Sequence, residues 1–300
     1  MKKLLFASII FLSVIMLAAC GSGESSDGGS NGEGGGEGEG NKLAQLKEEG
    51  VVQVGFANEK PYAYQEDGEL KGAAVDIAEA VFAEMGIDTV EGKLADFSQL
   101  IPGLNAGKFD VITAGMAINP DRCKNADFGE PEMMYGEGLV VKKGNPLDLH
   151  SYEDIAEKDA TVSIMQGATE IEYVKESGVS KDQIQSASDI PATFSAVASG
   201  RADATTATEM SLKMALESSD QDLEFVTDFE QPEIKGIPSY GAAAFHKDND
   251  DLREAYNEQL AKLKEDGTVK ELLEANGFSA ENNSVPEDIT TKGVCSGEQY

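Results

Sequence analysis

Positive charge is what this 300-residue chain has least of: 24 Lys and Arg stand against 55 Asp and Glu, a formal charge of −31. Nucleic-acid binding through a basic surface is excluded, because the phosphate backbone would repel such a chain. Docking on anionic lipid by charge is disfavoured for the same reason. Histidine occurs twice and cysteine three times, too little for a His/Cys metal site, so no metal and no cofactor is expected. Tryptophan is absent, which disfavours the Trp-rich cages that suit quaternary ammonium ligands. The apolar run Leu4 to Leu17 is too short for a comfortable membrane span. What is present is 40% hydrophobic residues, enough to bury a core despite the charge.

The N-terminus reads as an address. Met1-Lys2-Lys3 is a short positive region, the apolar run follows, and Leu17-Ala18-Ala19-Cys20 precedes Gly21. That order resembles a bacterial lipobox, with residues 1–19 as signal peptide and Cys20 as the lipidated residue. The alternative is a buried N-terminal helix with an incidental cysteine. Residues 21–40, GSGESSDGGSNGEGGGEGEG, hold nothing that can pack, and 20–41 reads as a lipidated Cys followed by a flexible tether. Twenty such residues span roughly 25 Å root-mean-square. The expected location is the extracytoplasmic face of the cell membrane, attached through lipid and not through a transmembrane helix.

Roughly 260 residues remain, enough for two modest domains. Strands are expected at 51–56, 109–114, 138–142, 161–165, 203–207 and 240–245, from short apolar runs bounded by turn residues. Helices are expected at 76–85, 97–105, 170–176, 192–198, 252–263 and 269–275, several ended by Gly. The alternation predicts an α/β fold with largely parallel sheets. No internal repeat is evident. Gly138–Lys143 and Ser239–Lys247 are extended, apolar and followed by polar turns. They suit a chain that leaves one lobe, builds a second and returns, with residues 42–138 and 243–300 as lobe one and 139–242 as lobe two. The ligand would sit in the cleft and be enclosed by a hinge motion.

The order VGFANEKPYAY, GAAVDIAEAVFAEMGI, PGLNAGKFDVITAGMAINPDRC, GRADA and DGTVKELLEANGF resembles family 3 of the bacterial solute-binding proteins, the receptors of polar amino-acid ABC importers. The likeness runs from about Leu43 to Phe278. Within that family, FANEKPY, AGM with PDRC, GNPLDLHSYEDIA and GATEIEY are most similar to the ectoine and hydroxyectoine receptors. The resemblance implies a periplasmic-binding-protein-like fold, two α/β lobes on a two-strand hinge. It also implies a monomer that takes a small zwitterionic ligand and delivers it to ABC permease subunits.

Candidate site residues follow. Arg122, just past a strand, can grip a carboxylate through two charge-assisted hydrogen bonds. An isolated Arg there would more simply be a surface ion pair; the motif implies the clamp, helped by backbone amides near Gly115, Met116 and Ala117. Glu59 and Tyr62 lie just after the first strand, where loop tips face the cleft. Glu59 would accept bonds from a cationic ring, or else be a solvated acid. Tyr62 and Phe97 would lend aromatic faces to a delocalised cation, or else be core. Thr169 and Glu170 open a helix of lobe two; Glu170 would close over the cation, or serve only as a helix-terminal acid. In general amino-acid receptors of the family, an Asp after GRxDA holds the α-ammonium; here the string is GRADATTATEM and the position is Thr208. An unpaired ammonium in a closed cleft is costly, so a cyclic amidinium carboxylate fits better than a primary α-amino acid. Ectoine receptors also carry a three-ring cage, and Met116 stands where a third ring is expected. Asp203 resembles a structural position.

On the outer face of a membrane the remaining pair, Cys123 and Cys295, is expected to form a disulfide; two free thiols are the alternative. Three functions are weighed: an ectoine or hydroxyectoine receptor, a receptor for a polar or cyclic amino acid such as proline, and an enzyme of the same fold such as a dehydratase. No catalytic motif supports the last, and an enzyme is not expected.

Overall fold

Residues 41–299 are described by the structure, a computed structural model. The expected signal peptide, Cys20 and nearly all of the tether lie outside the described residues.

Helix α1 (Lys42–Glu49) leads into β1 (Val51–Phe56). A short hairpin, β2 (Tyr64–Glu66) and β3 (Glu69–Lys71), precedes α2 (Ala73–Glu84) and β4 (Thr89–Leu94). Helix α3 (Leu100–Asn105), β5 (Val111–Ala117), α4 (Pro120–Cys123), β6 (Asp127–Phe128) and β7 (Met133–Tyr135) complete the first passage through lobe one. In lobe two the chain forms β8 (Glu137–Lys142), α5 (Tyr152–Glu157), β9 (Val162–Met165), α6 (Glu170–Glu176) and β10 (Ile184–Ala187). Then come α7 (Ile190–Ser199), β11 (Ala204–Thr208), α8 (Glu209–Glu217) and β12 (Leu223–Phe225). It returns through β13 (Ser239–Phe245) to α9 (Asp250–Glu265), α10 (Thr268–Ala275), α11 (Ala280–Asn283) and α12 (Thr291–Ser296).

The first sheet has the order β4-β1-β5-β13-β6, with β7 also on β13; the second has the order β10-β9-β11-β8-β12. The sheets are mixed, not largely parallel. β1 runs parallel to β4 and β5, and β9 parallel to β10 and β11. The strands beside the crossovers, β8 and β13, run antiparallel to β11 and β5. They enter each sheet from the opposite lobe, which sets their direction. The shared order, with a returning strand against a parallel trio, repeats an architecture that the two halves do not display as a sequence repeat.

Strand alternation divides each core into two layers. Val111 and Ala117 of β5 face a cluster with Phe82, Tyr256 and Leu260 of α2 and α9, while Ile112, Ala114 and Met116 face one with Leu100, Leu104 and Val294. In lobe two, Leu139 and Val141 pack with Tyr152 and Tyr173, and Val140 packs with Phe194 and Leu212. Each sheet is therefore covered on both faces. Helix α9 shows how the sequence directs this: Leu252, Tyr256, Leu260 and Leu263 form its buried stripe, acids stand in its first turn and lysines in its last.

One residue, Gly136, separates β7 of the first sheet from β8 of the second. The return crossover lies between Phe225 and Ser239, so residues 239–242, expected at the end of lobe two, pair within the first sheet with β7 and β5. The apolar run could not show this, because it is continuous across both environments. Gln231 ties the crossovers together: its Oε1 accepts from the Glu137 amide at 2.8 Å and its Nε2 donates to the Glu137 carbonyl at 2.7 Å.

The C-terminal helix α12 is joined to α4 by a bond between Cys123 and Cys295, whose Cα atoms are 5.8 Å apart. The bridge spans 172 residues, so it restricts the unfolded chain strongly. Replacing both cysteines by Ser is expected to lower the free energy of unfolding by about 2–4 kcal/mol, read by urea denaturation. A change below half a kcal/mol would show that the tail is held by packing alone.

Candidate ligand-binding cleft

In sheets of this kind, loops after the carboxyl ends of parallel strands converge on a crevice. Here β1 delivers Glu59 and Tyr62, β5 delivers Ala117 and Arg122, β9 delivers Met165, Thr169 and Glu170, and β11 delivers Thr208. These side chains, with Phe97, Ala114, Gly115, Tyr135, Ala168 and Ala207, enclose one cavity of about 30 Å³ between the lobes.

Eight of the nine residues singled out from the sequence line this cavity: Glu59, Tyr62, Phe97, Ala117, Arg122, Thr169, Glu170 and Thr208. Met116 does not. It is 2% exposed and packs in the Leu100–Val294 layer, whereas its neighbour Ala117 packs in the other. It supplies no third wall. Tyr135, which sequence reading missed, lines the cavity, its ring 5.2 Å from that of Tyr62 in an edge-on arrangement. Nothing in MMYGEG distinguishes it from a core tyrosine. Met165 was legible in principle, as the last residue of a parallel strand.

The loop that carries Glu59 and Tyr62 is fixed by its backbone. The Glu59 and Ala63 main chains form a bridge, and the Pro61 and Tyr62 carbonyls accept from Ala73 and Ala74, the first amides of α2. Gly115 has φ +56°, and a Cβ there would meet Tyr62 Cδ1 at 2.4 Å. Its carbonyl accepts from the Tyr135 hydroxyl at 2.6 Å. The bare backbone of β5 is therefore the bed of the Tyr62 ring.

Arg122 sits on the short helix α4, whose N-cap Asn119 accepts from the Arg122 amide at 2.7 Å. Its Nη1 donates to the Ala117 carbonyl at 2.8 Å and its Nη2 to the Gly167 carbonyl of lobe two at 2.9 Å. The guanidinium lies 5.3 Å from the Phe97 ring centroid, so Phe97 supports the cation as well as walling the cavity.

In the same cavity, burial pushes Glu59 up to about 7, opposed by the hydrogen bond from Ser211 and by Arg122. Burial also raises Glu170, which is 3% exposed, against its bonds to its own helix's backbone amide and to Glu137 and the pull of Arg122. The buried Tyr62 hydroxyl is held well above its ordinary range, first by burial, and stays neutral. Thr208 is the N-cap of α8 but its side chain caps no amide. Asp203 accepts from the Thr161 amide and hydroxyl, both at 2.8 Å, away from the cavity.

Among the bonds that join the lobes across this site are those from Arg122 to the Gly167 carbonyl and from the Ser211 hydroxyl to Glu59 Oε1 at 2.6 Å. A space of about 30 Å³ is near the room of one or two waters, so a larger molecule would fit there only with these contacts parted. Ser211→Ala is expected to shift ligand-free protein toward the open form by about fivefold, since one such hydrogen bond is worth about 1 kcal/mol. Small-angle scattering would show a larger radius of gyration; an unchanged value would remove the contact from the closure.

Residues 52–277 match the family described as bacterial extracellular solute-binding proteins, family 3. A probable amino-acid ABC transporter periplasmic-binding protein of Sinorhizobium fredii is 38% identical over 259 residues, 85% of this chain and 86% of that protein. The crystal structure of EhuB in complex with hydroxyectoine has 34% identity and a TM-score of 0.77, covering 85% of this chain and 98% of that one. An ancestral amino-acid-binding protein, described as a precursor of cyclohexadienyl dehydratase, has 28% identity and a TM-score of 0.67, covering 78% and 98%. The chain belongs to family 3 of the bacterial extracellular solute-binding proteins, with their periplasmic-binding-protein-like fold.

Proposed function

We propose that this protein captures ectoine or hydroxyectoine for an ABC importer. The observation that carries the reading is the set of groups lining one cavity: Arg122, the buried acids Glu59 and Glu170, and Thr208 in place of an acid. A carboxylate on Arg122 and a delocalised cation between the acids and the Tyr62 and Tyr135 rings would satisfy all of them. Thr208 offers no charge to a primary ammonium. The hydroxyectoine complex of EhuB, at 34% identity, supports the same ligand class. A second reading, a polar or cyclic amino acid such as proline, is favoured by the amino-acid transporter relative. The Sinorhizobium fredii relative is described as an ABC transporter periplasmic-binding protein, and the cleft acids are accounted for by ligand charge without a reaction.

The ligand would bind with the lobes apart and be enclosed as Arg122 and Glu59 meet lobe two. Glu59, Tyr62, Phe97, Ala117, Arg122, Thr169, Glu170 and Thr208 are the proposed contacts, with Tyr135 added. Anchoring through lipid on Cys20 after removal of residues 1–19, a monomeric state, the Cys123–Cys295 disulfide in the exported protein and delivery to permease subunits belong to the same proposal. A thermal-shift screen tests the ligand: ectoine and hydroxyectoine are expected to raise Tm by mass action, with glycine betaine and α-amino acids silent. A rise with proline alone would select the second reading.

A further inference from the structure

Glu137 opens β8 immediately after the first crossover, with its amide and carbonyl clamped by Gln231. Its Cα pairs in register with Thr208 of the cavity wall. It is 1% exposed, and neither carboxyl oxygen receives a hydrogen bond from an amide or a hydroxyl among the described residues. The acid that acts on it most strongly is Glu170 of the cavity wall, and both of its own oxygens are buried. Two carboxyls so placed cannot both be ionised out of water.

Burial with no donor to either oxygen favours the neutral form of Glu137. Glu170 and Glu59 face it and both raise it. The neighbouring hydroxyls of Tyr62, Tyr135 and Tyr152 are neutral, each held above its ordinary range by burial first. The cation of the site, Arg122, pulls Glu170 and Glu59 toward the ionised form, against the burial that raises both. We propose that Glu137 is a positioning residue: a neutral carboxylic acid whose O–H donates to Glu170 and holds that carboxylate against the cationic end of the ligand. The inference rests on the zwitterion-binding reading for the ligand's cation, but the protonated acid itself does not depend on which ligand binds.

The test uses the full-length chain with three substitutions. Glu137→Gln keeps a neutral donor of the same shape, Glu137→Leu removes the donor, and Glu170→Gln removes the acceptor charge. Infrared difference spectra of ligand-free protein at neutral pH are expected to show a protonated-carboxyl C=O band that Glu137→Gln abolishes. In calorimetry with ectoine, Glu137→Gln is expected to bind within about threefold of the natural protein. Glu137→Leu is expected to weaken binding by about tenfold or more, the loss of a hydrogen bond to a charged acceptor, with Tm unchanged or higher. Absence of the band, or equal loss of affinity in the Gln and Leu variants, overturns the proposal. A band lost in Glu137→Gln together with no binding of ectoine by any variant would sustain the neutral acid and refute the ectoine reading; the same affinity comparison is then made with whichever screened ligand binds.

Discussion

Arg122→Ala is expected to weaken ligand binding by at least a hundredfold. The guanidinium is the only donor fork among the cavity-lining side chains, and a carboxylate enclosed without it would be a buried, uncompensated charge. Loss of a bidentate charge-assisted pair costs about 3 kcal/mol, which is about a hundredfold in affinity. The same substitution removes the bond to Gly167 that joins the lobes, so closure is weakened too. Arg122→Lys should fall between the two, keeping the charge but not the planar fork that Phe97 supports. Calorimetric titration measures both. A change of less than threefold in Arg122→Ala would place the ligand's carboxylate elsewhere.

Gly115→Ala is expected to lower the free energy of unfolding by about 2–5 kcal/mol. The left-handed backbone costs an L-residue roughly 1–2 kcal/mol and overpacking a further 1–3. The clash is with the Tyr62 ring, 2.4 Å from the added methyl. That ring is held edge-on by Tyr135 at 5.2 Å and Phe278 at 5.4 Å, so it has nowhere to retreat. Relief by moving Tyr62 would open the aromatic wall and weaken binding together with stability. Urea denaturation measures the first effect; a loss below half a kcal/mol would show that β5 can shift and that the bed is not rigid.

The site was legible wherever a local motif placed a residue at a strand end. Glu59, Arg122 and Thr208 follow short strands whose apolar runs are plain in the sequence, and the folded chain brings all three to one cavity. Met116 was misassigned because a single step along a strand reverses the face, and the register of β5 depends on partners distant in sequence. Tyr135 and Glu137 were missed for a related reason. Both sit at a crossover whose environment changes from one sheet to the other within one residue, and an acid opening the apolar run EGLVV was the only trace. The mixed direction of the sheets was equally hidden, because it follows from the chain crossing twice between lobes. The short elements β6, β7 and β12 owe their existence to pairing with β13 and β8 and carry little pattern of their own.

The central claim is that this cleft selects a carboxylate joined to a delocalised cation and has no place for a primary ammonium. Calorimetric titration of residues 41–300 with ectoine and hydroxyectoine, beside proline, glycine betaine and a panel of α-amino acids, tests it most directly. The account predicts a Kd of about 1 μM or tighter for ectoine or hydroxyectoine, lost in Arg122→Ala, and no heat with primary α-amino acids. Tight binding of a primary α-amino acid with no ectoine signal would contradict it, and would mean that the buried acids, not Thr208, define what the cleft accepts.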